Sequence, residues 1–207
     1  MSKIINVGGQ TPTLPSGLWR EMSMPTVTAR PGQVILSSDL PKEIDMQKLE
    51  KLLATLPLRE DSNSELSAPK IQEIRLNGTL RFKYDGLDET RREIVNMLKQ
   101  DAVICFFEKL FDARRYPADC QGHVMPTGSE LKEHIHNANN IFIIFHFSKN
   151  YEGGRYFERI SDKIVYPQIP AYSACINYNA VAHGVEKVSS GVRNVLVTSW
   201  DRSKLKS

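Results

Sequence analysis

Gly128-Ser129-Glu130-Leu131-Lys132-Glu133-His134-Ile135-His136 opens the stretch whose reading decides the fold, and His183-Gly184-Val185-Glu186-Lys187-Val188 closes it. Between them run an apolar segment, Ile141 to Phe147, and the turn-like Tyr151-Glu152-Gly153-Gly154; Arg193 follows ten residues after His183. From Pro117 onward short β-rich segments alternate with turn residues: 122–125, 131–136, 141–147, 155–159, 163–165, 174–177, 184–188 and 193–200. Strands of this number and spacing fit two facing sheets. The expectation is a mainly β chain with flanking helices, a double-stranded β-helix or jelly roll.

The N-terminal half reads as support. Leu49, Leu52 and Leu53 recur at helical spacing before Pro57, which predicts a helix over 45–56. The polar stretch 59–70 reads as a loop. Residues 71–84 read as a hairpin around Asn77-Gly78, because both turn residues tolerate positive φ. Over 87–113, Ile94, Met97, Leu98, Val103, Phe106, Phe107 and Leu110 form a wide apolar stripe, with Asp88 as a cap and an interruption expected near Asp101. Such a stripe packs against a core. Residues 1–44, rich in Pro, Thr, Ser and Gly, read as an arm with an edge strand at 33–36.

A chain of 207 residues with 41% hydrophobic content can build one sizeable core, whereas two full domains would be a squeeze. The expected organisation is a single domain over 1–207, with 1–116 as arm and supporting helices and 117–203 as the jelly roll. A net charge of +3 gives no case for a nucleic-acid face. Three cysteines without paired short spacing argue against a disulfide framework and for a reducing compartment. No apolar run reaches membrane-spanning length, and the start lacks a signal-peptide core, so a cytoplasmic protein is expected.

The chemistry lies with the histidines. Residues two apart on a strand share a face, so His134 and His136 point the same way, and His183 comes from a late strand. Three neutral imidazoles on a rigid sheet suit a borderline divalent metal such as Fe, Zn, Ni or Cu. Taken alone, a histidine pair on a strand is more often a solvated or hydrogen-bonded surface pair; the downstream pattern shifts the reading towards a metal.

Taken together, Gly128 to His134, the apolar strand, Tyr151-Glu152-Gly153-Gly154, His183-Gly184-Val185 with Val188, Gly191, Arg193 and Trp200 resemble the iron(II)/2-oxoglutarate-dependent oxygenases, most of all their prolyl-4-hydroxylase-like branch, over about residues 120–200. The resemblance implies Fe(II) bound at His134, position 136 and His183, with 2-oxoglutarate as cosubstrate. It also implies that Arg193 pairs with the far carboxylate of 2-oxoglutarate, a task for which a guanidinium offers two parallel bonds. The implied reaction is hydroxylation or a related oxidation of a small-molecule or amino-acid-type substrate.

Two departures qualify what carries over. The family's acidic ligand is absent, since position 136 is histidine, and the tyrosine often found near Met125 is missing. His136 is expected to be a third metal ligand, giving an atypical three-histidine site. Were it to swing away, a coordination position would open, as in family members that halogenate. Two other readings stay open. One is a non-catalytic jelly roll that binds a metal or small ligand. The other is a cupin-like three-histidine dioxygenase, which Gly128 followed by His-x-His resembles, although Asn139 and Asn140 stand where its glutamate belongs.

Overall fold

The computed structural model describes residues 30–57, 59–60, 66–67, 70–73, 89–136, 141–147, 149–178 and 180–201. In chain order the elements are β1 (Val34–Leu36), α1 (Met46–Ala54), β2 (Arg59–Glu60), β3 (Leu66–Ser67), β4 (Lys70–Glu73), α2 (Glu89–Leu98), α3 (Asp101–Phe111), β5 (Tyr116–Pro126), β6 (Glu130–His134), β7 (Ile141–His146), β8 (Tyr151–Gly153), β9 (Tyr156–Ile160), β10 (Lys163–Val165), β11 (Ser173–Tyr178), β12 (Ala182–Val185) and β13 (Val188–Asp201). They form a jelly roll of two antiparallel sheets. The major sheet runs β1-β11-β7-β13-β5-β4-β2, with β8 on β13, and the minor sheet runs β10-β9-β12-β6-β3.

Strand alternation divides the molecule into two cores. On β7, Ile141, Ile143 and Phe145 face the helices, as do Ala174, Ile176 and Tyr178 of β11 and Leu196 and Trp200 of β13. Leu49 and Leu53 of α1, Ile94 and Leu98 of α2, and Val103, Phe107 and Phe111 of α3 complete that layer. Phe107 tilts against Trp200 at 4.7 Å between ring centroids, and the indole N–H donates to Thr198 Oγ1 at 2.8 Å, so the largest buried ring is packed and satisfied. The opposite faces of the same strands contribute Ile144, Cys175 and Val195 to a second core, inside the barrel, with Val34, Met125, Tyr156, Ile169, Val185 and Val188. Side chains of period two thus send one set to the helices and the other to the interior.

The helices follow the expected chemistry. Asp45 caps α1 by accepting the Lys48 N–H at 2.9 Å. The expected helix over 87–113 divides into α2 and α3 at Lys99 and Gln100, just ahead of Asp101. Other expectations need correction. The polar stretch 59–70 is not only loop, since β2 and β3 lie in it. Segments 184–188 and 193–200 do fall on two strands, but with other limits: β12 ends at Val185 and β13 begins already at Val188 and runs for 14 residues. Its length comes from pairing with β8 at one end and with both β5 and β7 at the other. Strand β8 was not among the expected segments. The Asn77-Gly78 turn, the Asp88 cap, Asn139 and Asn140, and the arm before Arg30 lie outside the described residues. No helix among the described residues is long and apolar enough to cross a membrane.

Candidate metal centre and anion pocket

Strand β12 lies between β6 and β9, and His183 sits directly opposite His134 on one side and Glu158 on the other. Directly opposed residues of an antiparallel ladder share a face, so all three side chains enter the barrel. His136 arrives differently. Strand β6 ends at His134, not at 136, so the turn out of the strand brings the second imidazole round rather than strand alternation. The ring centroids lie 4.4 Å apart for His134 and His183, 4.6 Å for His134 and His136, and 5.3 Å for His136 and His183. Phe142 stands 5.0 Å from the His136 ring.

One nitrogen from each of the three rings lies within 4.8 Å of the others. His134 Nδ1–H donates to the Lys132 carbonyl and His183 Nδ1–H to the Val181 carbonyl, each at 2.8 Å. Those bonds fix the tautomer and make each Nε2 an acceptor directed at the cluster. His136 Nε2–H donates to His134 Nε2 at 2.9 Å, the position each nitrogen would turn to a shared metal once that proton is released. Two imidazole nitrogens about 2.1 Å from one metal and at right angles to each other would stand about 3.0 Å apart, so the pair fits one edge of an octahedron. Burial holds His183 neutral, with its pKa drawn down to about 4, helped by the two neighbouring imidazoles and opposed by the Val181 bond.

Outside the sheet, Arg159 grips Glu133 with two bonds of 2.7 Å. This links β6 to β9 across β12, and Ala182, which is registered with Arg159, leaves room for it. Glu133 therefore faces away from the imidazoles and cannot stand in for the missing acidic ligand.

Arg193 enters the barrel from β13, opposite Met125 on β5, and is 2% exposed. Its Nη1 lies 3.4 Å from Met125 Sδ, and its Nε has no partner. Burial pulls the guanidinium below its ordinary range, and Tyr151, in hydrogen-bonding range, acts in the opposite direction with Tyr156 and Cys175. The group stays a cation. Among the described residues no carboxylate pairs with it. Gly154 makes room for its stem: at φ +55 its missing Cβ would stand 3.0 Å from Val188 Cγ2 and 3.2 Å from Arg193 Cδ.

Two further histidines flank this cation. His146 is buried on β7, its Nε2 is unpartnered, and burial followed by the Arg193 charge keeps it neutral. His123 on β5 is drawn down to about 4 by desolvation and then by Arg193, His134 and His136. His123 is thus in electrostatic reach of both the cluster and the arginine. Its Nε2 meets Gln121 Oε1 at 3.0 Å.

Glu158 is the one buried acid among the described residues. Its Oε1 accepts from the Tyr156 hydroxyl at 2.8 Å and from Asn177 Nδ2 at 3.2 Å, while Oε2 accepts nothing. Desolvation pushes its pKa up to about 7, against the Tyr156 and Asn177 bonds and the nearby Gly32 backbone N–H. It is not part of the three-imidazole cluster.

The structure brings His134, His136 and His183 together and buries Arg193 inside the same barrel. Sequence reading quoted Tyr151 without giving it a role and passed over His123, His146, Tyr156 and Glu158. The available signal was alternation: 156 and 158 share a face of β9, and 142, 144 and 146 share a face of β7.

No protein-family model matches the sequence, and no curated protein matches it. Solved structures do. A 2OG-Fe(II) oxygenase family oxidoreductase from Burkholderia pseudomallei superposes with a TM-score of 0.66 at 18% identity, covering 82% of this chain and 86% of that one. A prolyl-4-hydroxylase from Pseudomonas putida gives 0.55 at 13% identity over 77% of this chain and 89% of that one. HygX from Streptomyces hygroscopicus, solved with nickel and 2-oxoglutarate bound, gives 0.57 at 9% identity over 83% and 82%. The two-sheet barrel that carries the three imidazoles and Arg193 therefore has the fold of the 2OG-Fe(II) oxygenases.

Proposed function

We propose that the protein is a non-haem iron oxygenase that couples 2-oxoglutarate decarboxylation to oxidation of a small-molecule or amino-acid-type substrate, hydroxylation or a related reaction, at a three-histidine site. One observation carries the reading above all: Arg193 is a guanidinium buried in the same barrel as three convergent imidazoles, with no carboxylate among the described residues to neutralise it. A buried cation of this kind calls for an anion, and a bidentate carboxylate is its natural complement.

In this reading His134, His136 and His183 hold the metal, with the Lys132 and Val181 carbonyls orienting the first and third. Bound iron(II) would supply the one-electron chemistry that activates oxygen at the expense of 2-oxoglutarate. Arg193 takes the far carboxylate of the cosubstrate. His146, neutral and with Nε2 free, adds one N–H donor beside it. Met125 and Tyr151 hold the guanidinium in place, and Val185, Val188 and Ile169 help keep water out. Three neutral imidazoles leave the cation its full charge, where an acidic ligand would cancel part of it.

The test is an anaerobic titration with Fe(II) and 2-oxoglutarate. A visible metal-to-ligand charge-transfer band is expected. Arg193→Lys should weaken 2-oxoglutarate binding by about 1.5–3 kcal/mol, because lysine cannot make the paired bonds. Unchanged cosubstrate affinity in that variant would exclude the anion role of Arg193. A protein that binds metal without any such band would instead be a non-catalytic metal-binding jelly roll.

A further inference from the structure

Two acceptor atoms inside the barrel have no donor. Glu158 Oε2 and Asn177 Oδ1 are both buried and unpartnered. The pair stands at the level of the imidazoles. Glu158 is opposite His183 across β9 and β12, and Asn177 is opposite Phe142 across β11 and β7, with the Phe142 ring 5.0 Å from that of His136. One residue therefore comes from each sheet, and the Asn177 Nδ2 to Glu158 Oε1 bond joins them.

The donors nearby are spent. The Tyr156 hydroxyl and Asn177 Nδ2 both go to Oε1. Gly32 N–H stands close enough to favour the charged carboxylate, but its bond of 3.0 Å goes to the Ile176 carbonyl, and Pro167 has no N–H. Gly32 and Pro167 also cover Oε2 from outside: a Cβ on Gly32 would stand 3.1 Å from both Oε2 and Pro167 Cγ. Arg193 is not available, since it sits against Met125 and Tyr151. A neutral donor would satisfy one lone pair and leave the carboxylate charge uncompensated in a dry site, whereas a cationic N–H donor meets both needs.

We propose that Glu158 and Asn177 form the substrate subsite for a cationic nitrogen, an ammonium or guanidinium, held beside the metal centre. The proposal rests on the oxygenase reading for the word substrate, but the subsite itself can be read independently. The carboxylate supplies the charge, and Asn177 both orients it and adds a second acceptor. A substrate bound there by its nitrogen would present a carbon a short distance away to the metal.

The experiment is calorimetry at pH 8, anaerobically, on protein loaded with Fe(II) and 2-oxoglutarate. The probes are n-butylamine, putrescine and agmatine, with n-butanol and N-butylacetamide as uncharged controls. At least one cation is expected to bind and the controls are not. Glu158→Gln should weaken the cation at least tenfold. Asn177→Ala, which removes the second acceptor and the bond that orients the carboxylate, should weaken it too, but less than Glu158→Gln, because the charge remains. Binding that is equal in parent and Glu158→Gln, equal for charged and uncharged probes, or absent for every cation would overturn the proposal. The charge-transfer band is recorded on the same samples. Its absence in the parent counts against the oxygenase reading, while the calorimetry still reports on the subsite.

Discussion

At the scale of single residues, His136 decides what kind of site this is. Its Nε2 lies one octahedral edge from that of His134, yet it stands beyond the end of β6 and so lacks the ladder bonds that hold the other two. We expect His136→Ala to bind Fe(II) more weakly, by about 10- to 100-fold, the scale on which even outer-shell partners of metal ligands act. His136→Asp should restore affinity and speed 2-oxoglutarate consumption, because the carboxylate returns one negative charge to the centre. Iron titration of both variants measures this, and an Ala variant that binds as tightly as the parent would remove His136 from the ligand set. The three imidazoles were legible in the sequence because histidine is scarce and their spacing is unusual. Glu158 was not, since one glutamate in Arg155-Tyr156-Phe157-Glu158-Arg159 looks like surface charge until the register with His183 turns it inward.

At the scale of elements, β12 is the strand on which the centre depends. It is four residues long, pairs on both sides, and has a register shift between His183 and Val185. Gly184 occupies that shift, where a Cβ would meet Phe157 Cζ at 2.6 Å and the Leu131 carbonyl at 2.7 Å. The half-buried Phe157 ring can swing aside, but the Leu131 carbonyl is backbone within the sheet and cannot give way cheaply. Gly184→Ala should therefore part β6 from β12, cost about 1–3 kcal/mol as an overpacked site, and separate His183 from His134. Denaturation together with a metal titration checks both effects; a variant with parental stability and parental metal affinity would show that the close approach does not matter. Strand existence was readable from apolar alternation, and α1 to α3 from helical spacing. Strand limits were not. Where β12 ends and β13 begins depends on which partner strands are present, and two-residue strands such as β2 and β3 carry no periodicity at all.

At the scale of the whole molecule, the five histidines cluster on the barrel's inner face and at its mouth, with the one buried acid among the described residues, and this shapes how stability depends on pH. His123 and His183 have folded pKa values of about 4, and His146 lies well below its ordinary 6.5. Below pH 6.5 the unfolded chain takes up protons that these folded histidines refuse, so each lowers stability as the pH falls towards 4. For His183 alone the loss is on the order of 3 kcal/mol. Glu158 has the opposite sign: with a folded pKa of about 7, above its ordinary 4.5, it binds a proton that the unfolded chain has released, and its contribution fades as pH rises from 4.5 to 7. Three histidines outweigh one glutamate, so stability of chelator-treated protein should climb from pH 4 to about 6.5 and then level off. Glu158→Gln removes only the opposing slope and should steepen the climb. A redox-inert divalent ion such as Zn(II), binding the folded state at a hundred times its Kd, should add about 2.7 kcal/mol at neutral pH. The increment should shrink in acid, because the ligands must be deprotonated to bind. Urea midpoints from pH 4 to 8, with and without the ion, test this. A flat profile would mean that the imidazoles are solvated in solution, and an ion increment independent of pH would mean that they do not hold the metal.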